Sequence, residues 1–324
     1  MARNAYLKIS AVMGIAGAVA IGATGLAFTA SSQTELLGRE ASPSEAQLIV
    51  HNFIGTLEIR NGRELSYEID MGEHLIDDVS IFQQQGRLIV DGDPNENIRG
   101  CDRDDGSLKL RLDGERMRPI EDYPHLVITL PETASAQLGI SAGIVQMSNA
   151  QRLDLSFQGC GFSTIGNIMG ETDLSLRGSG DINLGNTGPL QILLEGSGDI
   201  ETGDVDGDAR ISLIGSGDIV VGDVSGETTV ELQGSGDVSV NGAHRYAQVV
   251  LLGSGDVEFA NGQVQQLGVE VRGSGDVNFN GDADDVSVLL YGAGDVYVAG
   301  STGNRVVNRY GPGDVRIGSW RSDD

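Results

Sequence analysis

The sequence predicts an all-β protein, a single-stranded parallel β-helix of about ten coils of ~19 residues behind an irregular β cap. Three observations carry this. Gly-Ser/Ala/Pro-Gly-Asp begins at Gly178, Gly196, Gly215, Gly234, Gly253, Gly273, Gly292 and Gly311, with gaps of 18, 19, 19, 19, 20, 19 and 19 residues. Aliphatic residues recur at fixed offsets from each copy. The composition, 48 glycines against 5% aromatics, suits tight repeated corners better than a bulky globular core.

The N-terminus reads as an export signal. Arg3 and Lys8 give a positive start, no further charge appears until Glu35, and Ile9–Phe28 is apolar. Small residues at Ala27 and Ala30 offer cleavage points, which makes 1–30 a signal peptide. The uncharged stretch is also long enough for an uncleaved membrane anchor of about 20 residues. Residues 31–46 form a polar linker.

The cap is expected over 47–132. Its strands are Leu48–Val50, Thr56–Arg60, Leu65–Ile69, Val79–Phe82, Arg87–Val90, Leu108–Leu112 and Leu126–Leu130, punctuated by glycine turns. The polar run Asp93–Asp105, with Pro94, reads as an exposed loop.

The β-helix is expected over 133–320. Four places after each first glycine stand Ile182, Ile200, Ile219, Val238, Val257, Val277, Val296 and Val315. Two places before it stand Leu176, Leu194, Leu213, Leu232, Leu251, Val271 and Leu290, then Arg309. Each coil therefore has two strands with alternate apolar residues facing inward, joined by the Gly-Ser-Gly-Asp corner. Gly159-Cys160-Gly161 and Ile140-Ser141-Ala142 continue the frame backwards as degenerate coils. At ~4.8 Å per coil, ten coils make a rod of about 48 Å. Arg309, Pro312 and Trp320 depart from the pattern and mark its end.

A formal charge of −26 excludes nucleic acid and disfavours anionic membrane surfaces, so membrane contact is expected only through an N-terminal anchor. Cys101 and Cys160 are the only cysteines; an exported chain permits a bridge, but their spacing is undiagnostic. The histidines (His51, His74, His125, His244) share no spacing, and Ser141, Ser163 and the corner serines lack a His–Asp pattern. No catalytic residue is assigned.

Stacking in register aligns Asp181, Asp199, Asp218, Asp237, Asp256, Asp276, Asp295 and Asp314. Carboxylates about 4.8 Å apart repel by about 0.9 kcal/mol in bulk water and about 3.5 at an effective dielectric near 20, so something must offset the column. One reading is local, with each carboxylate accepting hydrogen bonds from corner N–H groups or serine hydroxyls. The other is calcium held between coils by hard oxygen ligands. A second candidate surface comes from outward apolar positions before the corners: Leu193, Ile214, Val250, Leu252, Leu289, Tyr291 and Tyr310. Either another element or a second subunit covers this face, or it binds a partner.

The corner series Gly-Ser-Gly-Asp-Ile/Val, preceded by Leu-x, resembles the bacterial family called putative auto-transporter adhesin, head GIN domain. So does the run from Leu126 to Pro131 leading into Ser141-Ala-Gly143. The resemblance covers about 126–318 and implies an exported, β-helical cell-envelope protein with an adhesive or binding role and no catalytic residues. The expected function is thus a structural or adhesive module in the periplasm or at the cell surface, meeting an envelope component, a glycan or another copy of itself. Calcium-dependent carbohydrate binding is the alternative, followed by a polysaccharide-degrading β-helix enzyme.

Overall fold

A computed structural model describes residues 46–72, 79–84, 86–92, 97–104, 106–318 and 320–321. The export segment, nearly all of the linker and His74 lie outside the described residues.

The chain forms a parallel β-solenoid of about ten turns spaced about 19 residues apart. These turns run from β9 (Ser135–Met147) onward. In each, the strand before the Gly-x-Gly corner pairs in parallel with its equivalents in the neighbouring coils, as does the strand after it. Thus Thr172–Gly178 lies in register on Leu190–Gly196, and Asp181–Leu184 on Ile200–Thr202. The aliphatic columns expected from the sequence point inward and are buried along the stack. Another inward column stands six places after each first glycine, and in it Phe259 and Phe279 meet with ring centroids 5.3 Å apart. A further column, absent from the two-strand reading, closes each early coil. Ala150, Ile168, Thr187, Val205 and Val224 are joined by single parallel bridges, and all are buried.

The main difference from the sequence reading concerns residues 47–132. The strands read there exist, within β1 (Gln47–Asn61), β2 (Ser66–Asp70), β3 (Ser80–Gln84), β4 (Arg87–Asp91), β6 (Ser107–Leu112) and β8 (His125–Leu130), and two more were not read, β5 (Ile98–Asp104) and β7 (Arg118–Pro119). They are not all set apart as a cap. β1 is itself a coil of the solenoid. Its first half pairs in parallel with β4 on one side and β9 on the other, and its second half pairs with β8 and β9. β4 and β8 together form the coil beyond it. β2 and β3 run antiparallel to the strands they lie on, β8 and β4, at the end of the stack. From β1, inside the stack, the chain therefore runs outward to its end, returns as β4 and β8, and steps over β1 to reach β9.

The stretch Asp93–Asp105, expected as a loop, contains β5, which pairs antiparallel with β6. β6 alternates Leu108, Leu110 and Leu112 inward with Ser107, Lys109 and Arg111 outward. This small sheet is inserted between β4 and β8. It buries its leucines with Ile120 and Tyr123 against Ile54, Ala142 and Cys160, making a second core outside the solenoid. The Tyr123 hydroxyl donates to the Leu110 carbonyl at 3.2 Å within it.

Candidate functional site

The corner that joins the two strands of each coil is the most regular feature of the surface. Its middle position runs Ile54, Ala142, Cys160, Ser179 and then the repeated serines, ending at Ala293 and Pro312. The apolar end of this column lies under the inserted sheet. The serine end lies open. The change falls after Cys160, which is bonded to Cys101 of β5. The sequence left that bridge undecided; the fold brings the two cysteines, 59 residues apart, to a Cα separation of 6.5 Å.

Close stacking explains the flanking glycines. A Cβ on Gly217, Gly236 or Gly255 would lie 1.9 Å from the carbonyl oxygen of the equivalent glycine one coil earlier. Close approach of backbone, not an unusual φ, fixes the residue type at these positions.

The aspartates form a ladder. The backbone N–H of Asp218 donates to Oδ1 of Asp199 at 2.9 Å, and that of Asp237 to Asp218 at 2.9 Å. The same bond joins Asp256 to Asp237, Asp276 to Asp256, Asp295 to Asp276 and Asp314 to Asp295 at 2.7–2.8 Å, and Asp199 to Asp181 at 3.3 Å. From Asp199 to Asp314 the aspartate carbonyls in turn accept from the coil before, as when Ile219 donates to Asp237 at 2.9 Å. A carboxylate accepting an N–H is a charge-assisted bond, which offsets part of the repulsion along the column. An arginine closes each end. Arg103 of β5 donates to Oδ2 of Asp181 at 2.8 Å, and Arg309 donates to Oδ1 of Asp314 at 3.1 Å. The donors are backbone N–H groups rather than the serine hydroxyls. Among the described residues, no group of three or more His, Cys, Asp or Glu side chains is arranged to hold a metal ion.

A second ladder, missed in the sequence, runs along another corner. Asn167 donates its N–H to Oδ1 of Asn149 at 2.8 Å, Asn186 to Asn167 at 2.9 Å, Asp204 to Asn186 at 3.0 Å and Asp223 to Asp204 at 3.0 Å. Asn61 of β1 begins it, accepting from the Asn149 N–H at 3.1 Å. The spacing of 18 or 19 residues from Asn149 to Asp223 was the available signal. Amide oxygens fill this role from Asn61 to Asn186 and a carboxylate oxygen fills it at Asp204, so the position requires an acceptor and not a charge.

The outward apolar positions fall into two columns beside the serine corner. Ile214, Leu252, Tyr291 and Tyr310 are exposed, while Leu193, Val250 and Leu289 are half-buried. No described element covers the exposed four. The columns are mixed: Leu193 stands between Ser175 and Ser212, and Val250 between Glu231 and Glu270. At the C-terminal end they become aromatic. Tyr291 and Tyr310 stack with centroids 5.0 Å apart and planes 12° apart, and the Arg272 guanidinium lies 5.6 Å from the Tyr291 ring. Between this column and the corner serines runs an open depression of about 780 Å³, lined by Ser216, Gln233, Ser235, Leu252, Ser254 and Ser274.

Ser216, Ser235, Ser254 and Ser274 thus lie on an open, shallow surface, whereas Ser163 is 1% exposed with its hydroxyl inside the stack, out of reach of a substrate.

A family model for the putative auto-transporter adhesin, head GIN domain matches residues 49–243, 203–302 and 244–323. The chain belongs to this family. The overlapping segments suit a head GIN domain whose coils superimpose after a shift of one or more turns. The match begins within β1, so the segment that sits out of order in the stack is part of the head GIN domain. No curated protein matches the chain.

Proposed function

We propose that this head GIN domain chain is an exported, non-enzymatic module that binds an envelope component or glycan through the face beside its serine corners. The observation that carries the reading is the combined surface: a shallow, open face of serine hydroxyls and Leu252, continued towards the C-terminal end by the Arg272–Tyr291–Tyr310 column. Hydroxyls and an arginine suit the hydroxyl and carboxylate groups of a polysaccharide, while tyrosine rings suit its apolar faces. The membership supports an adhesive or structural role at a surface, and the Cys101–Cys160 bridge suits an oxidising compartment outside the cytoplasm. The ladder carboxylates are engaged in holding coils together, which leaves the chemistry of the face to its serines and aromatics.

The test is binding of the full chain to an array of neutral and acidic glycans, with calcium and with chelator. Binding that falls when Tyr291 and Tyr310 are both replaced by Ala, while the melting midpoint holds, supports the reading. Absence of binding to any glycan or envelope fraction overturns it. Release of reducing sugar from a bound polysaccharide overturns the non-enzymatic assignment. Binding that requires calcium overturns the assignment of the aspartates to structure alone.

A further inference from the structure

The depression beside the corner serines is uncharged, in a chain where charge is plentiful. Its lining is Ser216, Ser235, Ser254 and Ser274 with Gln233, Leu252 and corner glycines. It offers hydroxyls, an amide, backbone groups and one apolar side chain, and no ionisable group. The four serines are exposed and stand one to a coil, about 4.8 Å apart along the rod.

The surroundings of this lining are acidic. From Gly215 to Asp276 the chain has nine aspartates and glutamates against two arginines, Arg245 and Arg272. Two residues after each serine stands a ladder aspartate: Asp218, Asp237, Asp256 and Asp276. Each gives its Oδ1 to the next coil, and none of the four has an ion pair among the described residues. The ion pairs of the ladder lie at its ends, on Asp181 and Asp314. On the other side of the serines stand Glu231 and Glu270, in the strands before the corner. Glu231 accepts from the amide of Gln233, a lining residue. Glu270 accepts from Nε of Arg272, so that pair brings no net charge to the face. An anionic chain laid on the serines would therefore meet unpaired carboxylates, with no net positive charge to offset them.

We propose that the serine face takes an uncharged, hydroxyl-rich glycan chain laid along the rod, and that the flanking carboxylates exclude acidic glycans. The inference rests on the glycan reading above and narrows it to one class. Hydroxyls on both sides exchange hydrogen bonds as donors and acceptors, and Leu252 meets an apolar ring face. With one serine to a coil, a longer chain engages more coils, so affinity rises with chain length until the row is covered.

The experiment measures binding of the full chain to dextran, galactomannan and a soluble β-glucan, each beside its carboxymethylated form, at low and at higher salt. At least one uncharged polymer is expected to bind at least about tenfold more tightly than its carboxymethylated form at low salt. The gap is expected to narrow as salt rises. Asp237→Asn combined with Asp256→Asn keeps both acceptor oxygens and removes two charges. This variant is expected to hold the uncharged polymer as the wild type does and to bind the carboxymethylated form at least about threefold more tightly. A carboxymethylated polymer that binds as well as its parent, or a gap that the double variant leaves unchanged, overturns the narrowing while a glycan site stands. Binding to neither form of any polymer also overturns it. If the glycan array is silent as well, the reading beneath it falls too.

Discussion

Nη1 of Arg103 lies 2.8 Å from Oδ2 of Asp181 and ties the inserted sheet to the first rung of the aspartate ladder. The same guanidinium sits 5.5 Å from the ring of Phe162, the residue that occupies the ladder column one coil earlier. The column thus changes from aromatic to acidic directly beneath one arginine. Both side chains of the pair are about two-thirds shielded, with 28% and 31% of their surfaces exposed. A double-mutant cycle of Arg103→Ala and Asp181→Asn is expected to show a coupling of about 0.5–1 kcal/mol in unfolding free energy. Additive effects would contradict the link.

The Cys101–Cys160 bridge closes a span of 59 residues that includes the inserted sheet. By loop-closure entropy, removing it through Cys101→Ser and Cys160→Ser is expected to cost about 2–4 kcal/mol. Limited proteolysis is expected to cut the double variant first between 98 and 119, leaving the later coils intact. An unchanged melting midpoint and digestion pattern would refute this.

Two glycines make a matched pair. Gly236→Ala places a Cβ 1.9 Å from the Gly217 carbonyl, so the coils must part and the cost is expected to exceed about 2 kcal/mol. Gly268→Ala, whose Cβ meets nothing nearer than Gln248 Cγ at 3.9 Å, is expected to be neutral or to stabilise by about 0.4–1 kcal/mol. Thermal melts of the two variants read the difference directly. Equal effects would show that the coils do not approach as described.

Burial, reinforced by the charge of Asp173, pushes the Asp154 carboxyl above its ordinary value, and Arg152 offsets only part of this. A raised folded-state pKa means that the charged form opposes folding, so this group favours the fold more as pH falls towards the ordinary carboxylate range. Asp154→Asn is therefore expected to raise the melting midpoint at neutral pH, with the gain vanishing in acid. Glu58 has the opposite sign. Its hydrogen bond to Arg60, with the Arg60 and His125 charges, holds it below the ordinary value. The stability it contributes is present above its unfolded pKa and lost as pH falls through the folded one. A gain for Asp154→Asn that persists in acid would contradict the assignment.

The repeat itself made much of this legible. The inward columns from Leu174 to Ile317 and the alignment of Asp181 with Asp314 follow from a period of 19 and an alternation of two. What stayed hidden were contacts that break the period. β1 carries the coil pattern, Leu48 and Val50 before a glycine and Leu57 and Ile59 after it, yet its partner β9 begins 88 residues later. A search at one-coil spacing cannot pair them. The inserted sheet was read as partly loop because Arg99, Asp102 and Arg103 make β5 polar; its strand character comes from pairing with β6. Arg103 carried no signal, since its partner is set by where that sheet docks. The asparagine ladder was legible at the same period as the aspartates, but its residues stand beside changing neighbours instead of a fixed motif.

Each ladder aspartate from Asp181 to Asp295 serves the next coil as a hydrogen-bond acceptor. The most direct test of this role is the unfolding midpoint of Asp237→Asn and Asp237→Ala against the wild type, each with excess calcium and with chelator. Asn keeps an oxygen for the Asp256 N–H and removes a charge from the column, so Asp237→Asn is expected to match or exceed the wild type. Asp237→Ala leaves that N–H without its acceptor and is expected to lose about 1 kcal/mol, with no midpoint responding to calcium. Equal losses for Asn and Ala, with calcium stabilising only the wild type, would contradict the account.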